Sequence, residues 1–165
     1  MTVRAYVKST LLLALIAISV GGLMLHLRIH PASKNASNFL PLISGILSII
    51  IVPLLFSSRK TISYGYVLNG FLVLTGTIAM AHFSVVNWPQ PSSLESILLK
   101  TTFPDILILW TKFFIGKAVF DLELFGYDAG KNKTGVTYRY PNTGWWLVHF
   151  AATSVVYTLS GWLWR

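Results

Sequence analysis

The chain has 165 residues, of which 54% are hydrophobic and 11% charged, with no cysteine and a formal net charge of +8. A soluble domain carries about a quarter of its residues as charges, so this composition excludes an ordinary water-facing fold and points to a single transmembrane domain over residues 1–165. The missing cysteines exclude disulfides, iron–sulfur clusters and thiolate metal sites. The basic residues lie in short loops without a basic helix face or an aromatic platform, which argues against nucleic acid as a partner.

The first predicted element, residues 10–27, follows Arg4 and Lys8 and carries the run LLLALIAISVGGLML. A basic start and an apolar middle also fit a secretory leader, but no small-x-small cleavage site follows, so a retained first span is expected. The second, residues 39–56 (FLPLISGILSIIIVPLLF), has Pro41 in its first turn, where the missing N–H costs little, and Pro53 near its end. The third covers 62–85, and NWPQPSS breaks the chain behind it. Residues 92–100, SSLESILLK, read as a short surface helix. The fourth span is 103–125, with Pro104 in its first turn. A glycine-rich polar loop, GYDAGKNKTGVTYRYPNTG, separates it from the fifth, 144–164.

As helices these segments reach about 27 to 36 Å at about 1.5 Å per residue, enough to cross a hydrocarbon core of about 30 Å. Lipid offers backbone groups no partners, and the alternation of a barrel strand is absent, so the expected architecture is an all-α compact bundle of five transmembrane helices. With the N-terminus cytoplasmic, Arg4, Lys8, Arg59, Lys60, Lys131, Lys133 and Arg139 lie inside, against Arg28, Lys34, Lys100 and Arg165 outside, an arrangement that suits a prokaryotic cytoplasmic membrane. Small residues four apart, Ala17 and Gly21, Ser44 and Ser48, Thr77 and Ala81, Ser154 and Thr158, mark faces where helices can approach closely.

The fourth span carries Lys112, Lys117, Asp121 and Glu123. At about 100° per residue, Asp105, Lys112 and Glu123 form one stripe, while Lys117 and Asp121 are an i, i+4 pair on another side. A central Lys or Asp costs about 2.5 to 3.5 kcal/mol on insertion scales, and each Leu, Ile, Phe or Val returns about 0.3 to 0.6. The apolar residues of this helix return on the order of 6 kcal/mol, less than three buried charges cost, so the helix needs pairing, snorkelling or neighbouring helices. Lys112, nearest mid-depth, is expected either to face a carboxylate, a quinone oxygen or an anionic ligand, or to fold against backbone carbonyls, Asn69 or Thr75.

The histidines fall in layers. His26 and His30 at the outer end of the first span, His82 on the third and Asp105 on the fourth lie at one depth, a donor set that suits a metal ion; a histidine pair on separate helices would suit haem. The alternative is that they are amphipathic interface residues. His149 lies at the opposite level, near Asp121 and Glu123 in depth, and is a candidate proton relay. No nucleophile elbow, zinc-protease, phosphate-loop or dinucleotide motif is present. Asn35 and Asn132 match the glycosylation sequon on opposite sides of the membrane, so both cannot be used.

Three functions compete. The first is a non-catalytic accessory or anchor subunit of a larger membrane complex, in a homo- or hetero-oligomer, since the charged fourth helix calls for partners. The second is an ion, proton or small-molecule carrier that uses that helix. The third is a redox or metal-binding protein built on the outer histidines.

Overall fold

The computed structural model describes residues 1–29, 39–86, 93–99, 103–127 and 141–163. Its elements are α1 (Val3–Ile29), α2 (Phe39–Ile49), α3 (Ile51–Ser57), α4 (Ile62–Val86), α5 (Leu94–Ile97), α6 (Phe103–Phe125) and α7 (Thr143–Leu163), with no strand among the described residues.

Three stretches are long and apolar enough to cross a membrane: Val3–Arg28, Phe39–Ser57 and Ile62–Ala79. The helices α6 and α7, with 23 and 21 residues, are also long enough, but they do not meet the same criterion of composition. Five charges interrupt α6, and α7 spends much of its length on Trp, Tyr, Thr, Ser and His.

Each boundary has a local cause. Pro53 cannot donate to Ile49 O, and the predicted second span divides there into α2 and α3, joined through Ile50. The helical ladder resumes with Leu54 N donating to Ile50 O at 3.3 Å. Ser93 caps α5, its hydroxyl accepting from Ser96 N at 3.1 Å. Asn142 caps α7 in the same way, with Oδ1 accepting from Trp145 N at 2.8 Å. Gly126 ends α6 at φ +102°, a conformation open to glycine at little cost.

The helices form a ring. α1 packs on α2 and α6, and α4 packs on the same two, so α1 and α4 face each other across the axis, as do α2 and α6; α7 lies outside, chiefly against α4. Between its charged ends α1 is apolar on most sides and buries one stripe, Leu15, Ser19 and His26, toward the axis, while Leu13 and Met24 stay exposed. Such a helix needs apolar surroundings on those sides, and exposed Ile46, Leu54, Phe71, Phe114 and Val155 continue the apolar surface around the bundle.

Below the midpoint the ring is filled. Leu15, Phe56, Asn69 and Phe113 are fully buried. Beside them Tyr66 stacks on Phe120 at 4.5 Å, and Phe113 meets Phe150 edge-on at 5.2 Å. Ser44, Ser48, Ser154 and Thr158 are buried at helix contacts, and Thr77 is buried on α4. Ala17 and Gly21 are exposed, so α1 makes its close approach one residue on: a Cβ on Gly22 would lie 3.0 Å from Ile108 Cγ2.

Candidate functional site

Above the buried floor lies a cavity of about 70 Å³ on the ring axis. Each of the four ring helices contributes to it: Ser19, Gly22 and His26 from α1; Pro41, Ser44 and Ser48 from α2; Leu72, Gly76 and Ala79 from α4; Ile108, Leu109 and Lys112 from α6. On α2 and α4 the lining runs seven residues along the helix and on α1 eight, so the cavity is about 10 to 12 Å deep at about 1.5 Å per residue. Ser19, Ser48, Leu72 and Lys112 form its inner level, and His26, Pro41, Ala79 and Ile108 its outer level.

Lys112 is 4% exposed. Its ammonium crosses the ring from α6 and donates to Ser48 Oγ on α2 at 2.6 Å. Ser48 passes its own proton to Ser44 O, also at 2.6 Å, so its oxygen is available to accept. Of the backbone, Asn69 and Thr75 partners expected for the ammonium, Asn69 does take part, but through the main chain: its Nδ2 donates to Lys112 O at 3.4 Å. An ammonium has three N–H donors, and the described residues give this one a single hydrogen bond. Among the described residues, no Asp or Glu lines the cavity.

The other charges of α6 sit apart from the cavity. Lys117 and Asp121 form a half-buried ion pair. Glu123, with its side chain 1% exposed, is the hub of the inner end. Arg4 Nη2 reaches Oε2 at 2.5 Å, Lys8 Nζ reaches Oε1 at 2.9 Å, and Tyr127 Oη donates to Oε1 at 2.9 Å. Lys8 also donates to Ser57 O at 2.8 Å, and the Arg4 guanidinium lies 5.6 Å from the centre of the Tyr127 ring. One carboxylate thus ties the start of α1 to the ends of α3 and α6.

Tyr127 lies past the end of α6, and its phenol is pushed up to about 12, first by burial and then by the hydrogen bond to the Glu123 carboxylate and its negative charge.

The histidines have different settings. His26 is buried at the outer level of the cavity. His30 lies outside the described residues, as do the side chains of His82 and Asp105. Among the described residues, no group of three His, Asp or Glu stands close enough to hold a metal ion. His149 donates from Nδ1 to Trp145 O at 2.8 Å and stacks on the Trp145 ring at 3.8 Å. Its described contacts belong to its own helix.

Reading from the sequence alone singled out Lys112 and Glu123 but missed their partners. Ser48 was visible only as a small residue for packing, and Arg4 and Lys8 only as topology signals. Nothing local in the chain links positions 4, 8 and 57 to position 123.

The class defined by this fold is a helical bundle of membrane-protein type. No protein-family model matches the chain, and no curated protein or solved structure matches it.

Proposed function

We propose that this chain is a non-catalytic, five-pass protein of a prokaryotic cytoplasmic membrane, N-terminus inside, that holds a small acceptor-bearing molecule in its axial cavity. The observation that carries the reading is Lys112, a buried ammonium at the inner level of the cavity with donors to spare. Burying such a group costs several kcal/mol unless hydrogen bonds or counter-charge offset it, and a cavity beside it is where an offsetting ligand would sit.

Two competing functions are less well supported. The subunit reading arose because α6 needed outside partners for its charges; Asp121 pairs with Lys117, and Arg4 and Lys8 pair with Glu123, within the chain, so that of Lys112, Lys117, Asp121 and Glu123 only Lys112 still needs a counter-charge among the described residues. A carrier would have to open the floor of Leu15, Phe56 and Phe113, which separates the cavity from the charged inner end.

The binding reading is tested with wild-type and Lys112→Met protein in nanodiscs. Thermal unfolding is followed across small carboxylates, inorganic anions, amides and carbonyl compounds. At least one saturable, Lys112-dependent stabilisation is expected; a panel in which the two proteins respond alike rejects the reading. The threading is tested with single cysteines, for which the chain's lack of native ones leaves no background. Ser58→Cys and Asn142→Cys should label from the cytoplasmic side and Ser93→Cys from the other. Ser58 and Ser93 labelling from one side would overturn it.

A further inference from the structure

The chemistry of the cavity narrows the ligand, on the basis of the binding function proposed above. Its polar groups are sorted by depth. Among the described residues, the one side chain at the inner level that can carry a positive charge is Lys112, and no carboxylate lines the cavity. The nearest described acid downward on the same helix is the ion-paired Asp121, nine residues and about 13 Å further along. Ser19 and Ser48 give their hydroxyl protons to Leu15 O at 2.7 Å and Ser44 O at 2.6 Å. They therefore present oxygen lone pairs to the cavity and contribute no counter-charge.

Above this level α1, α4 and α6 present apolar walls through Leu23, Ala79, Ile108 and Leu109, and the polar side chains there are Ser44 on α2 and His26 at the outer level. A site with one cationic donor at its base and hydrocarbon walls matches a molecule with one anionic head and a hydrocarbon tail. The volume of about 70 Å³ sets the size, because a water needs about 10 to 15 Å³ on this measure, so about five to seven heavy atoms fit.

We infer that the cavity binds a short-chain aliphatic monocarboxylate, its head on the Lys112 ammonium and its tail along the walls of α1, α4 and α6. A carboxylate accepts two of the ammonium's N–H groups and supplies the missing charge. An inorganic anion would supply the charge but leave the apolar walls unfilled. A neutral amide of the same shape would fill the walls but leave the charge unmatched.

The experiment compares butyrate, butyramide and chloride at constant ionic strength, by thermal unfolding of the full chain in nanodiscs. Butyrate should raise the midpoint saturably, by about 5 °C when sites are full, with butyramide and chloride at least tenfold weaker. Lys112→Met should unfold cooperatively and lose the response to butyrate. Ala79→Phe, which fills the outer level and leaves Lys112 in place, should lose it too. Equal Lys112-dependent responses to chloride or butyramide would overturn the carboxylate assignment while leaving the binding reading intact. No Lys112-dependent response to any of the three overturns the carboxylate assignment, and if the wider panel is silent as well, the binding reading falls with it.

Discussion

Lys112 on α6 and Ser48 on α2 meet across the axis of a four-helix ring, with Nζ 2.6 Å from Oγ. The two helices are opposite members of the ring, so this hydrogen bond spans the bundle rather than joining neighbours.

Removing the acceptor should therefore cost more than removing both partners. Ser48→Ala leaves the buried ammonium without its described hydrogen bond and should destabilise by about 1 to 3 kcal/mol. Lys112→Met is close in length, buries no charge, and leaves Ser48 bonded to Ser44 O; stability should hold or rise by up to about 3 kcal/mol. In the Lys112→Met background, Ser48→Ala should cost only a few tenths of a kcal/mol. A double-mutant cycle by thermal or denaturant unfolding in a fixed lipid environment reads the coupling, and additive effects would show that the bond carries no energy.

Glu123 gathers Arg4 and Lys8 from α1 and Tyr127 from beyond α6, so its loss should loosen the inner end of the bundle. Glu123→Ala removes the acceptor of Arg4, Lys8 and Tyr127 together and should cost about 1 to 3 kcal/mol. Arg4, with 55% of its side chain exposed, should matter less: Arg4→Ala should have a smaller effect, and one that shrinks further as salt is added. Hydrogen exchange at the first turn of α1 should rise in Glu123→Ala and stay unchanged near the cavity.

Two glycines should respond to alanine with opposite sign. A Cβ on Gly70 would lie 2.5 Å from Trp146 Cε2. Trp146 is fully buried and is packed against Phe71, Phe113 and Phe150, so it cannot yield cheaply. Overpacking costs about 1 to 3 kcal/mol and exceeds the helix-propensity gain of about 1, so Gly70→Ala should be destabilising. Gly21 has nothing within 4 Å of its Cβ position, and Gly21→Ala should be neutral or stabilising by up to about 1 kcal/mol. Unfolding midpoints of the two variants check the ordering.

The Tyr127 phenol makes stability fall at high pH. Its folded value, about 12, lies above the ordinary 10.0, so the neutral form is favoured in the folded state. That contribution is complete below about pH 10 and is lost as the pH rises through about 12. Phenolate absorbance should lose a late-titrating component in Tyr127→Phe. Unfolding midpoints should fall less steeply between pH 10 and 12 in that variant than in wild type. A Tyr127 that titrates near 10 would refute the assignment.

The helices were legible because each local signal agreed with the next. Pro53, the caps Ser93 and Asn142, and the glycine after Phe125 act within a few residues, and the apolar runs show how far each helix extends. The limit of composition also came from the sequence: charges on α6 and polar residues on α7 keep both outside the simple criterion for a span. The inner-end network was not legible, because residues 4, 8, 57 and 123 meet only after α1, α3 and α6 pack. For His149, shared depth with two carboxylates suggested a relay; that its ring bonds and stacks within its own helix was not legible either.

By itself, the sequence determined that most of this chain seeks apolar surroundings as helices, because lipid leaves backbone groups no other partner. It also determined that Lys112 must find a compensating group. Which group that is, and that a cavity remains beside it, was decided only by the ring of α1, α2, α4 and α6. The side-chain contacts that close around Ser48 and Lys112 lie 64 residues apart in the chain, and no periodicity along a helix specifies which face of a distant helix it will meet.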